Sequence, residues 1–226
     1  RMLMPLEKRW IVAPKTPPDH LAKYREMSPI VAQVLYNRGL TDPADAYRFL
    51  HADDLSSGSL LTLKGKRPSI DRALARIRQA IRANEQIIVY GDFDADGVTS
   101  TALLVEALKA LGARVAPYIP HRVDEGYGVN NEALLKLARA GVKLVITVDC
   151  GIRSVDEVEE GRALGLDIIV TDHHSLGPEL PKAYAVINPK CDDAQYTEDM
   201  LAGVGVAYRL AEALFSLLIQ SSLANQ

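Results

Sequence analysis

The sequence predicts an α/β fold: a mainly parallel sheet of about five strands sandwiched by helices and preceded by a small helical lead-in. Three observations predict it. Short apolar runs recur at IIVYGD (87–92), ARVAPYI (113–119), KLVITVD (143–149), DIIVTD (167–172) and AYAVIN (183–188), and helical patterns at about 98–111, 130–140 and 154–164 separate the first four. These runs are apolar nearly throughout, as expected of strands covered by helices on both faces. The chain has 226 residues and 48% hydrophobic content, enough for one large α/β domain and a small extra module.

Residues 1–68 read as the lead-in and a linker. Ser28-Pro29 places a cap and a first-turn proline before IVAQVLYNR, and Gly39 stops that helix; Asp42-Pro43 repeats the device before ADAYRFLH. His20 and His51 have no partner motif nearby and read as surface or packing residues. SSGSLLTLKGKRP, 56–68, reads as a linker, with Lys64, Lys66 and Arg67 most simply solvated. The main domain, 69–226, opens with the amphipathic DRALARIRQAIRAN. Its apolar positions are 70, 73, 74, 77, 80 and 81, and Arg72, Arg76, Arg78 and Arg82 read as a solvated face.

Composition excludes some classes. Lys and Arg number 26 against 29 Asp and Glu, so no overall basic field announces nucleic acid, although acidic metal ligands would mask a basic groove in such a count. The apolar stretch Leu201–Ile219 carries Arg209 and Glu212 and has helical periodicity, which marks a packed helix and not a membrane span. RMLMPLEKRW has no apolar core of signal-peptide length, and Cys150 and Cys191 form neither a CxxC nor a disulfide framework, so a cytoplasmic location is expected. Cys150 reads as a small buried residue behind Asp149.

The chemistry collects where the strand runs end. In an open parallel sheet, ligands bind beyond the carboxyl ends of the strands. The first run ends in Asp92-Phe-Asp94-Ala-Asp96-Gly97, the third in Asp149-Cys150-Gly151 and the fourth in Asp172-His173-His174. Alternation on an extended chain would send Asp92, Asp94 and Asp96 to one side, where a divalent cation relieves their repulsion. Asp94, Asp96, Asp149, Asp172 and His173 exceed what one octahedral ion takes from protein. Two ions are therefore expected, with Asp149 as the bridge. Hard oxygen ligands suit Mg²⁺ or Mn²⁺, and imidazole leans towards Mn²⁺. Such a pair suggests hydrolysis at phosphorus, with His174 orienting the nucleophile or protonating the leaving oxygen. The loop PHRVDEGYGVNN (120–131) leaves the same edge. In it Arg122 can fork to a phosphate, Tyr127 can stack, and Asn130 or Asn131 caps the next helix. Gly203 and Gly205, in LAGVGVAYRLAEAL, precede a helix and can present N–H groups to phosphate or simply permit close packing.

These motifs together, YGDFDADGVTST, PHRVDEGYG, VDCGI, TDHH and LAGVGVA, resemble the DHH phosphoesterase superfamily and, within it, the RecJ-type single-strand-specific exonucleases of bacteria. The resemblance covers about residues 69–220. It implies a DHH catalytic domain, a two-metal hydrolase using Mn²⁺ or Mg²⁺, and 5′→3′ removal of mononucleotides from single-stranded DNA in recombination and repair. It places metal ligands at Asp94, Asp96, Asp149 and His173, with supporting roles for Asp92, Asp172 and His174 and DNA contact by Arg122. Such enzymes continue to a further strand with another ligating Asp, a second domain and an OB-fold; this chain stops at Gln226, and Asp192, Asp193 and Asp199 do not substitute by position, so the expectation is a catalytic domain truncated at its carboxy end. The rival readings are a small-substrate phosphoesterase (pyrophosphatase, oligoribonuclease or cyclic-dinucleotide hydrolase) and a non-catalytic nucleic-acid-binding relative. The first is disfavoured by Tyr90, where such enzymes have a His, and the second by the intact ligands. No residue selects a protein partner such as a repair helicase or single-strand-binding protein.

Overall fold

The computed structural model describes residues 11–24, 27–50, 68–191 and 201–223. The chain divides into two compact units, 1–56 and 57–226. His51, the linker cations Lys64, Lys66 and Arg67, and Asp192, Asp193 and Asp199 lie outside the described residues.

The first unit holds α1 (Pro18–Leu21), α2 (Pro29–Asn37) and α3 (Pro43–Leu50). Ser28 caps α2 by accepting from the Val31 N–H, and the Asp42 carboxylate accepts from the Ala44 N–H at the start of α3. Tyr24, Ala32, Leu35 and Ala46 form a small core, and the Tyr24 hydroxyl donates to the Leu40 carbonyl at 2.6 Å. His20 packs edge-on to Tyr36, a packing role.

The second unit alternates helix and strand: α4 (Pro68–Arg82), β1 (Gln86–Tyr90), α5 (Ala95–Ala110), β2 (Arg114–Tyr118), α6 (Asn131–Arg139), β3 (Leu144–Val148), α7 (Val155–Ala163), β4 (Asp167–Thr171), β5 (Ala185–Ile187) and α8 (Gly203–Leu223). All four strand pairings are parallel, in the order β2-β1-β3-β4-β5. The period of two along each strand sorts side chains between two cores. Ile87, Val89, Leu144, Ile146 and Ile169 join α4, α5 and α8 on one face. Ile88, Tyr90, Val145, Ile168 and Val170 join α6 and α7 on the other. β3 is buried at every residue, which explains its unbroken apolar run.

Two local readings change. α5 starts at Ala95, three residues before the apparent helical pattern, because the Asp94 carboxylate caps it by accepting from the Gly97 N–H at 2.9 Å. Asp96 is therefore helical, and the aspartates are gathered by a strand end, a cap and a first turn, not by alternation along an extended chain. Arg76 is not on a solvated face. It is 5% exposed, and its guanidinium donates to Asp167 at 2.6 Å and Glu85 at 2.7 Å, fastening α4 beneath the start of the sheet.

From β1 the chain crosses to β2 on one side and later to β3 on the other. That reversal opens a crevice at the carboxyl ends of β1 and β3, the place where open α/β sheets bind ligands.

Candidate metal centre

Asp92, Asp94 and Asp149 meet in that crevice, each offering one oxygen within 4.8 Å of the others. Asp149, His173 and His174 form a second group at the same spacing, so Asp149 belongs to both. It sits just beyond β3 with φ 61°, a left-handed conformation that Asp tolerates better than most residues and that turns its side chain off the strand line. Its Oδ1 lies 3.0 Å from His173 Nε2, yet it is buried and accepts no hydrogen bond of acceptable geometry. Burial first, then the charges of Asp96 and Asp94, push its carboxyl up to about 7. Burial also raises Asp92. Buried carboxylates this close, one with an orphaned oxygen, fit a hard divalent cation, and adjoining imidazoles suit Mn²⁺.

The remaining members are held from outside the crevice. Asp96 accepts at both oxygens from α8: Gly203 N–H donates to Oδ2 at 2.8 Å and Val204 N–H to Oδ1 at 2.8 Å. Its Oδ2 is 3.5 Å from His173 Nε2. The Gly203 N–H expected to face a phosphate is thus given to Asp96, and a Cβ on Gly203 would lie 2.6 Å from Asp149 Oδ1. Gly205 lies inside α8, and its Cβ would meet the Leu201 side chain at 3.2 Å, a packing constraint. On Gly97 a Cβ would meet the Asp92 carbonyl oxygen at 2.5 Å, so glycine is required where α5 turns against β1.

Asp172 organises its own loop. Its Oδ1 accepts from the His173 N–H at 2.7 Å, the His174 N–H at 3.0 Å and His174 Nδ1 at 2.8 Å, while Oδ2 accepts from the Ile152 N–H at 3.0 Å. With both oxygens so used, Asp172 orients the histidines and is absent from both three-residue groups. A carboxylate on Nδ1 assigns the His174 proton to that nitrogen and leaves Nε2 facing outward, on a side chain 44% exposed.

The loop 119–130 brings Arg122 and Tyr127 to the same rim. The Arg122 guanidinium stacks 4.8 Å from the Phe93 ring centre, and Tyr127 stands edge-on to Phe93 and to His174 at 6.2 and 6.5 Å. The loop is tied down from below. Tyr90 donates to the Gly128 carbonyl at 3.0 Å and accepts from Asn130 at 3.1 Å, Tyr118 donates to Glu125, and Glu125 accepts from the His121 N–H at 2.8 Å. Asn130 caps α6 through the Ala133 N–H at 2.8 Å. Cys150 is buried behind Asp149.

Sequence reasoning missed three residues. Phe93, set between two aspartates, carries the Arg122 guanidinium over its ring. Asn188 is 1% exposed and donates to the His174 carbonyl at 3.0 Å, and Lys190 Nζ donates to the His173 carbonyl at 2.7 Å. The strand-end rule could have flagged Asn188, the polar terminus of AYAVIN; nothing in the sequence marks Lys190.

Among known proteins the chain is similar to the single-stranded-DNA-specific exonuclease RecJ of Bacillus subtilis, 44% identical over 88% of this chain and 25% of that protein. The RecJ of Thermus thermophilus is 39% identical over 93% of this chain and 30% of its own length. The chain thus spans about a quarter to a third of the curated relatives it matches. Among solved structures, an exonuclease RecJ bound to manganese superposes with a TM-score of 0.61 at 40% identity, over 68% of this chain and 39% of that one. RecJ from Thermus thermophilus in complex with Mn²⁺ gives 0.59 at 34% identity, over 90% and 28%. The pattern of the DHH family, N-terminal domain, matches residues 86–225. Because that match runs from the first strand through the helix that clasps Asp96, the chain belongs to the DHH family.

Proposed function

We propose that residues 69–226 form the catalytic unit of a metal-dependent phosphodiesterase, a single-stranded-DNA-specific 5′→3′ exonuclease of recombination and repair, with residues 1–68 as its lead-in. The observation that carries this is the orphaned, buried Asp149 Oδ1 between two donor groups. Relatives named for single-stranded-DNA exonuclease activity, and the manganese in a solved relative, support it. Two Mn²⁺ or Mg²⁺ ions held there would supply a hydroxide nucleophile and neutralise charge on the non-bridging phosphate oxygens.

The residues then divide the work. Asp149, which belongs to both groups, would hold the ions together with Asp92, Asp94 and His173, and Asp96 is presented beside them on the N–H groups of α8. Asp172 holds His174 through Nδ1, which leaves Nε2 as an acceptor able to orient the attacking nucleophile. Arg122 forks to a backbone phosphate, while Tyr127 and Phe93 offer ring faces to bases. Tyr90 points away from the metal edge to anchor the Arg122–Tyr127 loop, where a histidine would serve a small-substrate enzyme. Among the described residues no helix is long and apolar enough to cross a membrane, and a cytoplasmic site suits that.

Mn²⁺ calorimetry on the chain and on Asp149→Ala tests the metal centre, with binding expected in the first and lost in the second. Labelled single-stranded DNA set against pyrophosphate and dinucleotides, each with Mn²⁺, tests the substrate. Turnover restricted to the small substrates would overturn the exonuclease reading.

A further inference from the structure

The period of two along β3 breaks at Asp149. Leu144, Ile146 and Val148 join the core of α4, α5 and α8, and Val145 joins that of α6 and α7. Continuing the alternation would send Asp149, with Val145 and Thr147, towards α6 and α7, and Cys150 the other way. The structure has the reverse. Asp149 Oδ1 lies 2.6 Å from where a Cβ on Gly203 of α8 would stand, and Cys150 belongs to the core of α6 and α7. The left-handed backbone of Asp149, φ 61°, with Gly151 at φ 103°, makes this exchange of faces. A residue other than glycine keeps that conformation only where its surroundings over-determine it. We infer that the Thr147 hydroxyl does so, which makes Thr147 a positioning residue that governs metal affinity through Asp149. The inference rests on the metal reading of Asp149.

Thr147 is the polar residue of a strand otherwise made of Leu, Val and Ile, and it is fully buried. Valine would fill the same space with no hydroxyl to desolvate, so the hydroxyl is accounted for by its bonds. Its Oγ1 donates to the Cys150 carbonyl at 2.8 Å and accepts from the Thr171 N–H of β4 at 3.3 Å. Thr171 Oγ1 in turn donates to the Thr147 carbonyl at 2.6 Å. At their carboxyl ends β3 and β4 are thus joined through side chains, which lets the backbone after Val148 leave the ladder. An extended chain would carry the Cys150 carbonyl roughly 10 Å along the strand from Thr147. The Thr147–Cys150 bond therefore forms only with the turn made, and it holds Asp149 in the turn between its two ends. Gly151 closes over the same hydroxyl, since a Cβ there would lie 3.0 Å from Thr147 Oγ1.

Mn²⁺ calorimetry, with backbone NMR of the metal-free chain, tests this on three variants. Thr147→Val keeps the shape and removes the hydroxyl. It should bind Mn²⁺ roughly tenfold more weakly, the effect of losing a supporting group at a metal site, and its Asp149 ¹³Cα and ¹³Cβ shifts should leave the left-handed range shown by wild type. Thr147→Ser, which restores the hydroxyl, should recover both. Thr171→Val deletes the neighbouring hydroxyl; it should lower Tm and leave Mn²⁺ affinity and the Asp149 shifts at their wild-type values. A role for Thr147 confined to stability would give Thr147→Val the same pattern as Thr171→Val, and that result, an equal loss of affinity in both, or failure of serine to rescue, would overturn the inference. Should the valine variant not fold, Thr147→Cys, whose thiol is a weak donor of similar size, takes its place with a smaller loss expected, and unchanged affinity there would count equally against it. No Mn²⁺ binding by wild type would instead overturn the metal reading, and the Asp149 shifts of the metal-free variants would still decide whether Thr147 holds the turn.

Discussion

Gly203→Ala is the sharpest test of how the metal edge is assembled. The added Cβ would lie 2.6 Å from Asp149 Oδ1, 2.7 Å from its Cβ and 2.8 Å from its Cγ. The shortest contact is about 0.8 Å inside ordinary van der Waals distance, so one side must move. Neither side is free. The first turn of α8 is held by the Gly203 and Val204 N–H groups on Asp96 at 2.8 Å, and Asp149 is fixed in a left-handed conformation at the end of a fully buried strand. Overpacking of this kind costs about 1–3 kcal/mol. For a chain of this size that is a fall in Tm of roughly 2–12 °C. Whichever side yields, Asp149 or Asp96 leaves its place, and Mn²⁺ affinity should fall about 10–100-fold, as for loss of a supporting group at a metal site. Gly205→Ala is the control, because its Cβ meets only the Leu201 side chain, at 3.2–3.8 Å, and none of the site residues, so Mn²⁺ binding should be unaltered. Calorimetry and thermal unfolding on the two variants decide the matter. Unchanged Mn²⁺ affinity in Gly203→Ala, or an equal loss in both, would refute the reasoning.

Two further outcomes follow from the same geometry. In chelator at pH 8, Asp149→Asn should be more stable than wild type in chemical denaturation, by about 1–4 kcal/mol, because it removes a buried carboxylate pushed from 3.8 up to about 7. The native state holds that proton more tightly than the unfolded chain, so wild-type stability declines as pH rises from about 4 to about 7 and the variant lacks this decline; a less stable variant at pH 8 contradicts the account. Asn188→Ala removes the donor to the His174 carbonyl and the acceptor for the Lys190 N–H, and should lower Mn²⁺ affinity about tenfold with near-ultraviolet dichroism preserved, while unchanged affinity would remove Asn188 from the site.

The sheet was legible because its signal is local. Unbroken apolar runs such as LVITV read as strands buried on both faces, and three of the five runs end at a carboxylate, so the binding edge followed from one topological rule. What stayed hidden depends on partners distant in sequence. Arg76 looked solvated because Asp167, its acceptor, lies on a strand across the sheet. The role of Asp172 in orienting the histidines was hidden because the Ile152 N–H that occupies its second oxygen belongs to another loop. Asp96 seemed to belong to an extended run because the cap formed by Asp94, a contact of three residues' span, was outweighed by the alternation of the letters.

The clasp of α8 on Asp96 has a bearing on how the protein is made. The two hydrogen bonds join residues 107 and 108 positions apart. All four strands that flank or form the crevice, and both histidines, leave the ribosome before Val204 does. A nascent chain folding from its amino end therefore holds the donor residues for a time without the helix that sets one of them. Docking of α8 is in this way the step that completes the setting of Asp96 beside the other donors.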